Sequence, residues 1–310
     1  MNALIELNDL RKKFRKTEAV NGLSLTVPEG SVTAFLGPNG AGKTTTIKCL
    51  LNLHQPDGGS ARVLGTDSRE LGPKEFSRIG YVSENMEMPE WMTVQELLDY
   101  CRPMYATWDR DFERKMLKEF DLPGDRKLKA LSRGMKMKAA LLSSLAYRPK
   151  LVVLDEPFSG LDPLVRDEFI RGLLELTEEE GWTVFVSSHD IEEVERLTDR
   201  VAIIHQGRLQ LDEAHDELQA RFRRVEISLP GAAAPPLNAP AEWLDLQADG
   251  RMIRFVHSRH ANGNIQAQVE QHFGSEAKAQ VQTMTLREIF VALARMYRLS
   301  GEANGKGGVK

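Results

Sequence analysis

Residues 37–44, Gly37-Pro38-Asn39-Gly40-Ala41-Gly42-Lys43-Thr44, fit the pattern G-x-x-x-x-G-K-S/T and constrain this chain's fold more than any other stretch. An apolar run, Ser31-Val32-Thr33-Ala34-Phe35-Leu36, precedes them and reads as a buried strand. The segment after them, Thr45-Thr46-Ile47-Lys48-Cys49-Leu50-Leu51, reads as a helix. Strand, glycine-rich loop and helix in that order form a phosphate cradle. The glycines let successive backbone N–H groups turn inward toward an anion, and the helix N-terminus adds partial positive charge at the same place. Lys43 is then expected to reach the β- and γ-phosphates of a nucleoside triphosphate, and the Thr44 hydroxyl to ligate Mg²⁺.

The rest of the chain must say what the triphosphate is for. At 310 residues there is room for one large domain and one small one. A formal net charge of −4 argues against a dedicated nucleic-acid binder. Cys49 and Cys101 lie far apart and read as reduced thiols of a cytosolic protein. No apolar run approaches the ~20 residues that cross a bilayer, and the first residues lack the pattern of a signal peptide. Any work at a membrane would need another chain to supply the membrane part.

Residues 3–10 and 23–27 read as strands around a loop at 11–21, and residues 66–145 as mainly helical. Thr93-Val94-Gln95-Glu96 is a capping box, and Asp109 can cap the next helix, whose Phe112, Met116, Leu117 and Phe120 share a face. A second α/β stretch follows: strands at 151–154 and 183–187, helices at 163–178 and 190–197, and a closing hairpin at 201–211. Strands alternating with helices imply a largely parallel, doubly wound sheet. Around residue 220 the character changes to a small α+β accessory domain, with strands at 225–229, 244–247, 252–257 and 280–282 and helices from 262 and 286. His257, His260 and His272 show no metal-ligand spacing and read as surface side chains, and residues 299–310 read as a disordered tail.

Leu151-Val152-Val153-Leu154-Asp155-Glu156 is a buried strand delivering two carboxylates beside the glycine-rich loop. Asp155 is placed to hold Mg²⁺, and Glu156 to polarise a water for attack on the γ-phosphate. Upstream, Leu131-Ser132-Arg133-Gly134-Met135 opens a helix with Ser132 as its N-cap, a second anion-binding helix start or an ordinary capped one.

Together these residues resemble the ATP-binding subunit of ABC transporters over residues 3 to about 215. Residues 37–44 match Walker A, with Gly37, Pro38, Asn39, Gly40, Ala41, Gly42, Lys43, Thr44 and Thr45 about the phosphates. Residues 151–156 match Walker B with its catalytic glutamate, Ser159-Gly160-Leu161-Asp162 the D-loop, and His189 the switch histidine. The resemblance implies an α/β P-loop NTPase with an ABC-type helical subdomain at about 85–145 and an antiparallel β portion. The domains would run 1–219 and 220–298. Phe14 falls where the family stacks an aromatic on adenine, or it is a core side chain.

Two positions depart from the family pattern. The usual LSGGQ signature reads Leu-Ser-Arg-Gly-Met here: Ser132 and Gly134 are kept, and Arg133 either adds charge to the γ-phosphate or faces solvent. Glu84 stands where a glutamine is usual; its carboxylate can still reach Mg²⁺ or the attacking water. These departures, with Trp91-Met92-Thr93-Val94, Trp108-Asp109 and Leu286-Arg287-Glu288-Ile289-Phe290, are similar to the ABC-2 exporter branch, of the Ytr or bacitracin-resistance type. The resemblance implies ATP and Mg²⁺ as cofactors, and a second ATPase subunit, a copy or a paralogue, whose Ser132, Arg133 and Gly134 face the bound nucleotide, with Asp162 joining the two sites. It also implies a separate membrane-spanning permease, no nucleic acid, and a place at the cytoplasmic face of the membrane. The alternatives are a soluble ABC ATPase of DNA repair or translation, and a regulatory subunit with weak hydrolysis. The long coiled-coil insertion or second cassette of the former is missing.

Overall fold

The computed structural model describes residues 2–236, 238–260 and 265–305. It divides into two compact units, residues 1–212 and 213–310. The first unit opens with a hairpin of β1 (Ala3–Phe14) and β2 (Thr17–Pro28), followed by β3 (Val32–Leu36), helix α1 (Lys43–Leu50), β4 (Gly58–Val63) and β5 (Thr66–Asp67). A single turn, α2 (Pro73–Phe76), leads to β6 (Ile79–Ser83) and then to α3 (Val94–Cys101), α4 (Arg110–Glu119) and α5 (Arg133–Leu145). The chain returns through β7 (Leu151–Asp155), α6 (Pro163–Glu180), β8 (Thr183–Ser188), β9 (Arg200–His205) and β10 (Arg208–Ala214).

Two sheets result: a four-stranded one ordered β2-β1-β4-β5 and a six-stranded one ordered β10-β9-β3-β8-β7-β6. From β6 to β9 the second sheet is parallel, and β3, β7 and β8 are buried along their whole length. That burial on both faces is why β3 and β7 read as near-continuous apolar runs. Register sets the site: Leu36 pairs with Ser188 and Asp155 with Ser187, so three strands end at one level.

Helices α3 to α6 start where side chains satisfy their free N–H groups. Thr93 and Glu96 form the reciprocal capping box of α3, and Asp109 accepts from the N–H groups of Asp111 and Phe112 to start α4. Glu113, buried on α4, is held by Arg102 at 2.9 Å and by the Trp108 indole N–H at 2.6 Å. Ser132 accepts from Met135 N–H at α5, and Asp162 from Leu164 and Val165 N–H at α6.

The second unit contains α7 (His215–Arg221), β11 (Arg223–Ser228), β12 (Trp243–Asp249), β13 (Met252–His257), α8 (Ile265–Phe273), β14 (Lys278–Thr283) and α9 (Leu286–Gly305). Its strands form one sheet, β12-β13-β11-β14, over a core built on Val225, Trp243, Ile253, Phe255 and Val269.

Several sequence expectations change. The loop at 11–21 is strand except at Arg15 and Lys16, because Asp57 binds the Lys13 N–H and the Lys12 ammonium and holds the end of β1. Strands β4, β5 and β6 lie in a stretch read as largely helical or left unassigned. The helix at 190–197 is two 3₁₀ turns, Ile191–Glu193 and Glu195–Leu197. His257 is buried, its Nε2 3.2 Å from Gln268 Oε1, not a surface side chain. The unit boundary falls at 212/213, ahead of 219/220, so α7 belongs to the second unit. Helix α9 extends to Gly305, into the stretch read as a tail at 299–310; residues 306–310 lie outside the described residues.

Candidate functional site

The loop between β3 and α1 is built around two close approaches. A β-carbon at Gly37 would strike the Ile204 carbonyl, and one at Gly42 the Ala19 carbonyl, where φ is +112°. Only glycine fits at either place. Gly42 is also the N-cap of α1 and supplies no side-chain cap, so the first-turn N–H groups stay free for an anion. Lys43 folds back over the loop, donating to Gly37 O at 2.6 Å and Pro38 O at 3.3 Å.

At the carboxyl end of β7, Thr44 Oγ1 donates to Asp155 Oδ1 at 3.1 Å, and Ser187 Oγ donates to the same oxygen at 2.6 Å. Burial pushes the Asp155 carboxyl above its ordinary range, an effect those two hydroxyls oppose. Glu156 follows with φ of +53°, a left-handed backbone held by its N–H donating to both the carbonyl and the hydroxyl of Ser187. Strain of this kind persists only where surrounding structure imposes it.

The Glu156 carboxylate is held at both oxygens, and the His189 backbone N–H also donates to Oε2 at 3.3 Å. Lys43 Nζ lies 3.0 Å from Oε1, and His189 Nδ1 lies 2.7 Å from Oε2. That hydrogen bond holds the His189 imidazole above its usual pKa, against the opposing effect of partial burial. Behind it, Ser188 Oγ donates to Glu193 Oε2 at 2.5 Å, and burial raises the Glu193 carboxyl.

Lys43, Thr44, Asp155, Glu156 and His189 line one cavity of 660 Å³. Asn39, Gly40, Gly42, Lys43, Thr44 and Thr45 form one wall; Glu84, Asp155, Glu156 and His189 form another. Phe14, Ser132, Arg133, Gly134 and Asp162 lie outside its lining. Phe14 is exposed, not a core side chain, with the Lys12 ammonium 5.3 Å from its ring centroid. Arg133 is half exposed and pairs with Glu84, Nη2 to Oε2 at 3.9 Å. The sequence reading missed Ser187, Tyr81 and Lys48, which hold or line the site. The Ser187-Ser188 pair before His189 was the available signal for the first; the other two carry none.

A parallel sheet whose strand ends meet a glycine-rich loop, a helix start and paired carboxylates defines a P-loop nucleotide-hydrolysing cassette. Comparison with known proteins agrees. Residues 20–159 match the family described as ABC transporter. The chain is 30% identical over 270 residues to the bacitracin transport ATP-binding protein BcrA of Enterococcus faecalis, covering 86% of this chain and 88% of that one. It is 37% identical over 224 residues to the daunorubicin/doxorubicin resistance ATP-binding protein DrrA of Streptomyces peucetius, covering 70% and 67%. The solved structure of an ATP-binding subunit of an ABC transporter superposes with a TM-score of 0.63 at 28% identity, over 70% of this chain and 92% of that one. The chain belongs to the ABC transporter family as an ATP-binding subunit, an ATPase whose hydrolysis powers transport. Among the described residues no helix is long and apolar enough to cross a membrane.

Proposed function

We propose that this subunit drives export through a separate membrane-spanning permease, at the cytoplasmic face of the membrane and as one half of an ATP-closed dimer. The observation that carries the reading of the site is the bridging of Glu156 between Lys43 and His189 inside the phosphate cavity. Export is favoured by likeness to relatives named for bacitracin transport and for daunorubicin/doxorubicin resistance.

In this reading Lys43 turns from Glu156 to the β- and γ-phosphates, and the free amides at the start of α1 hold the remaining charge. Glu156, released on that side, orients and deprotonates the attacking water, while His189 fixes the carboxylate and faces the γ-phosphate. Thr44 and Asp155 present hard oxygen donors 3.1 Å apart on the cavity wall, a donor set suited to Mg²⁺, with Glu84 on the same wall. When bound, Mg²⁺ neutralises charge on the transferred phosphoryl group. Phe14, exposed at the end of β1, is available to stack on adenine. Ser132 and Gly134 at the start of α5 would meet the nucleotide of the second subunit, and Asp162 would join the two sites across the dimer. The accessory domain, expected at 220–298, corresponds in this reading to the second unit, which begins at Glu213.

A second cavity of 400 Å³, lined by Met86, Met88, Leu128 and Met137 with Glu87 and Lys136, supports docking of a permease segment. Methionine-lined grooves adapt to a moving apolar partner. Affinity purification of tagged Glu156→Gln protein from detergent-solubilised membranes in Mg-ATP tests the whole reading. A polytopic membrane protein should co-purify; ribosomes, DNA-repair factors or no membrane partner would overturn it.

A further inference from the structure

The two departures from the family pattern are neighbours in space. Arg133 opens α5, and Glu84 follows β6, yet their side chains pair at 3.9 Å. Glu84 is tied to the catalytic strand as well, its N–H donating to Asp155 O at 3.0 Å. The Arg133 guanidinium also lies against Gly160, at φ +67°, where a β-carbon would collide with it. One side chain therefore spans the loop after β6, the start of α5 and the turn after Glu156.

The charges explain what this does. Glu84 lines the 660 Å³ cavity together with Asp155 and Glu156. An uncompensated third carboxylate there would repel a polyanionic triphosphate. We propose that Arg133 is a positioning residue for its own subunit's nucleotide cavity: it neutralises Glu84 and holds that loop in place. In the dimer arrangement the start of α5 serves the partner's nucleotide, so an effect of Arg133 on its own subunit's site is a separate role. The proposal rests on reading the cavity as the ATP site.

The test is nucleotide affinity of the full chain, measured with trinitrophenyl-ATP and Mg²⁺ at concentrations where sedimentation gives a monomer. No partner nucleotide then meets α5, so any contribution of Arg133 arises within one chain. Arg133→Gly should weaken binding by roughly threefold to fivefold, the scale of a partly exposed pair. The same replacement in a Glu84→Gln background should change affinity by less than about twofold, because the anion it served is gone. Arg133→Lys should stay near wild type, and the Arg133→Gly deficit should shrink as salt rises. An equal deficit in both backgrounds, or no deficit beside Glu84, overturns the proposal. Unchanged affinity in Lys43→Ala would instead overturn the reading of the cavity, which separates the two failures.

Discussion

Lys43 Nζ stands 3.0 Å from Glu156 Oε1, so the cation expected to meet phosphate and the carboxylate expected to activate water neutralise each other. Both are buried, and a buried charge without a partner is expensive. Removing either therefore changes more than one step.

Glu156→Gln should keep nucleotide binding, because the amide no longer holds Lys43 by charge, and should trap the closed dimer. Phosphate release should fall about 10²- to 10⁴-fold, the usual worth of a positioned base. Steady-state phosphate release and gel filtration in Mg-ATP measure both effects; normal turnover would dismiss Glu156 as the base.

Lys43→Ala should weaken ATP binding about tenfold to a hundredfold, the loss of one charge-assisted contact. Calorimetric titration of the purified subunit reads this directly.

His189 gives a pH signature. Its folded pKa is raised above the unfolded value of 6.5 by the bond to Glu156. Its contribution to stability is thus complete below about pH 6.5 and lost as pH rises through the folded value. NMR titration should place the imidazole above 6.5, and Glu156→Gln should lower it. Urea melts at pH 6 and pH 8 should then differ more for wild type than for Glu156→Gln. The raised Asp155 carboxyl acts with the same sign, and Glu156 contributes to that shift too, so the imidazole titration is the readout that isolates His189.

Ser187→Ala should cost about 1–3 kcal/mol, since it leaves a buried Asp155 oxygen one donor short. Urea unfolding checks the stability; a neutral result would mean water replaces the hydroxyl.

Trp91 is 67% exposed beside a methionine-rich loop. Trp91→Ala should leave ATP affinity unchanged and reduce recovery of the permease from solubilised membranes. Equal recovery would move the docking surface elsewhere.

Much of this was legible because it is local. The phosphate loop needs its glycines within a few residues, and β3 and β7 announce burial by continuous apolar residues. Ser132, Asp109 and Thr93 cap the helices that follow them, as their side chains require. What failed depends on distant partners or on a near-degenerate period. Asp57 holding Lys13 N–H cannot be seen along the chain. Ile191, Val194 and Leu197, all buried, repeat every third residue, which suits 3₁₀ turns as well as the amphipathic helix they suggest. The meeting of Glu84 with Arg133 was equally hidden: each looked like an isolated oddity until the fold paired them.

Ser83, Glu84 and Met86 line both the 660 Å³ and the 400 Å³ cavities. Fuel chamber and docking groove thus share one partition, to which these three residues present a surface on each side. A shift of that partition toward one cavity is a shift away from the other. On the functions proposed here, the nucleotide and the docked permease segment border the same three residues.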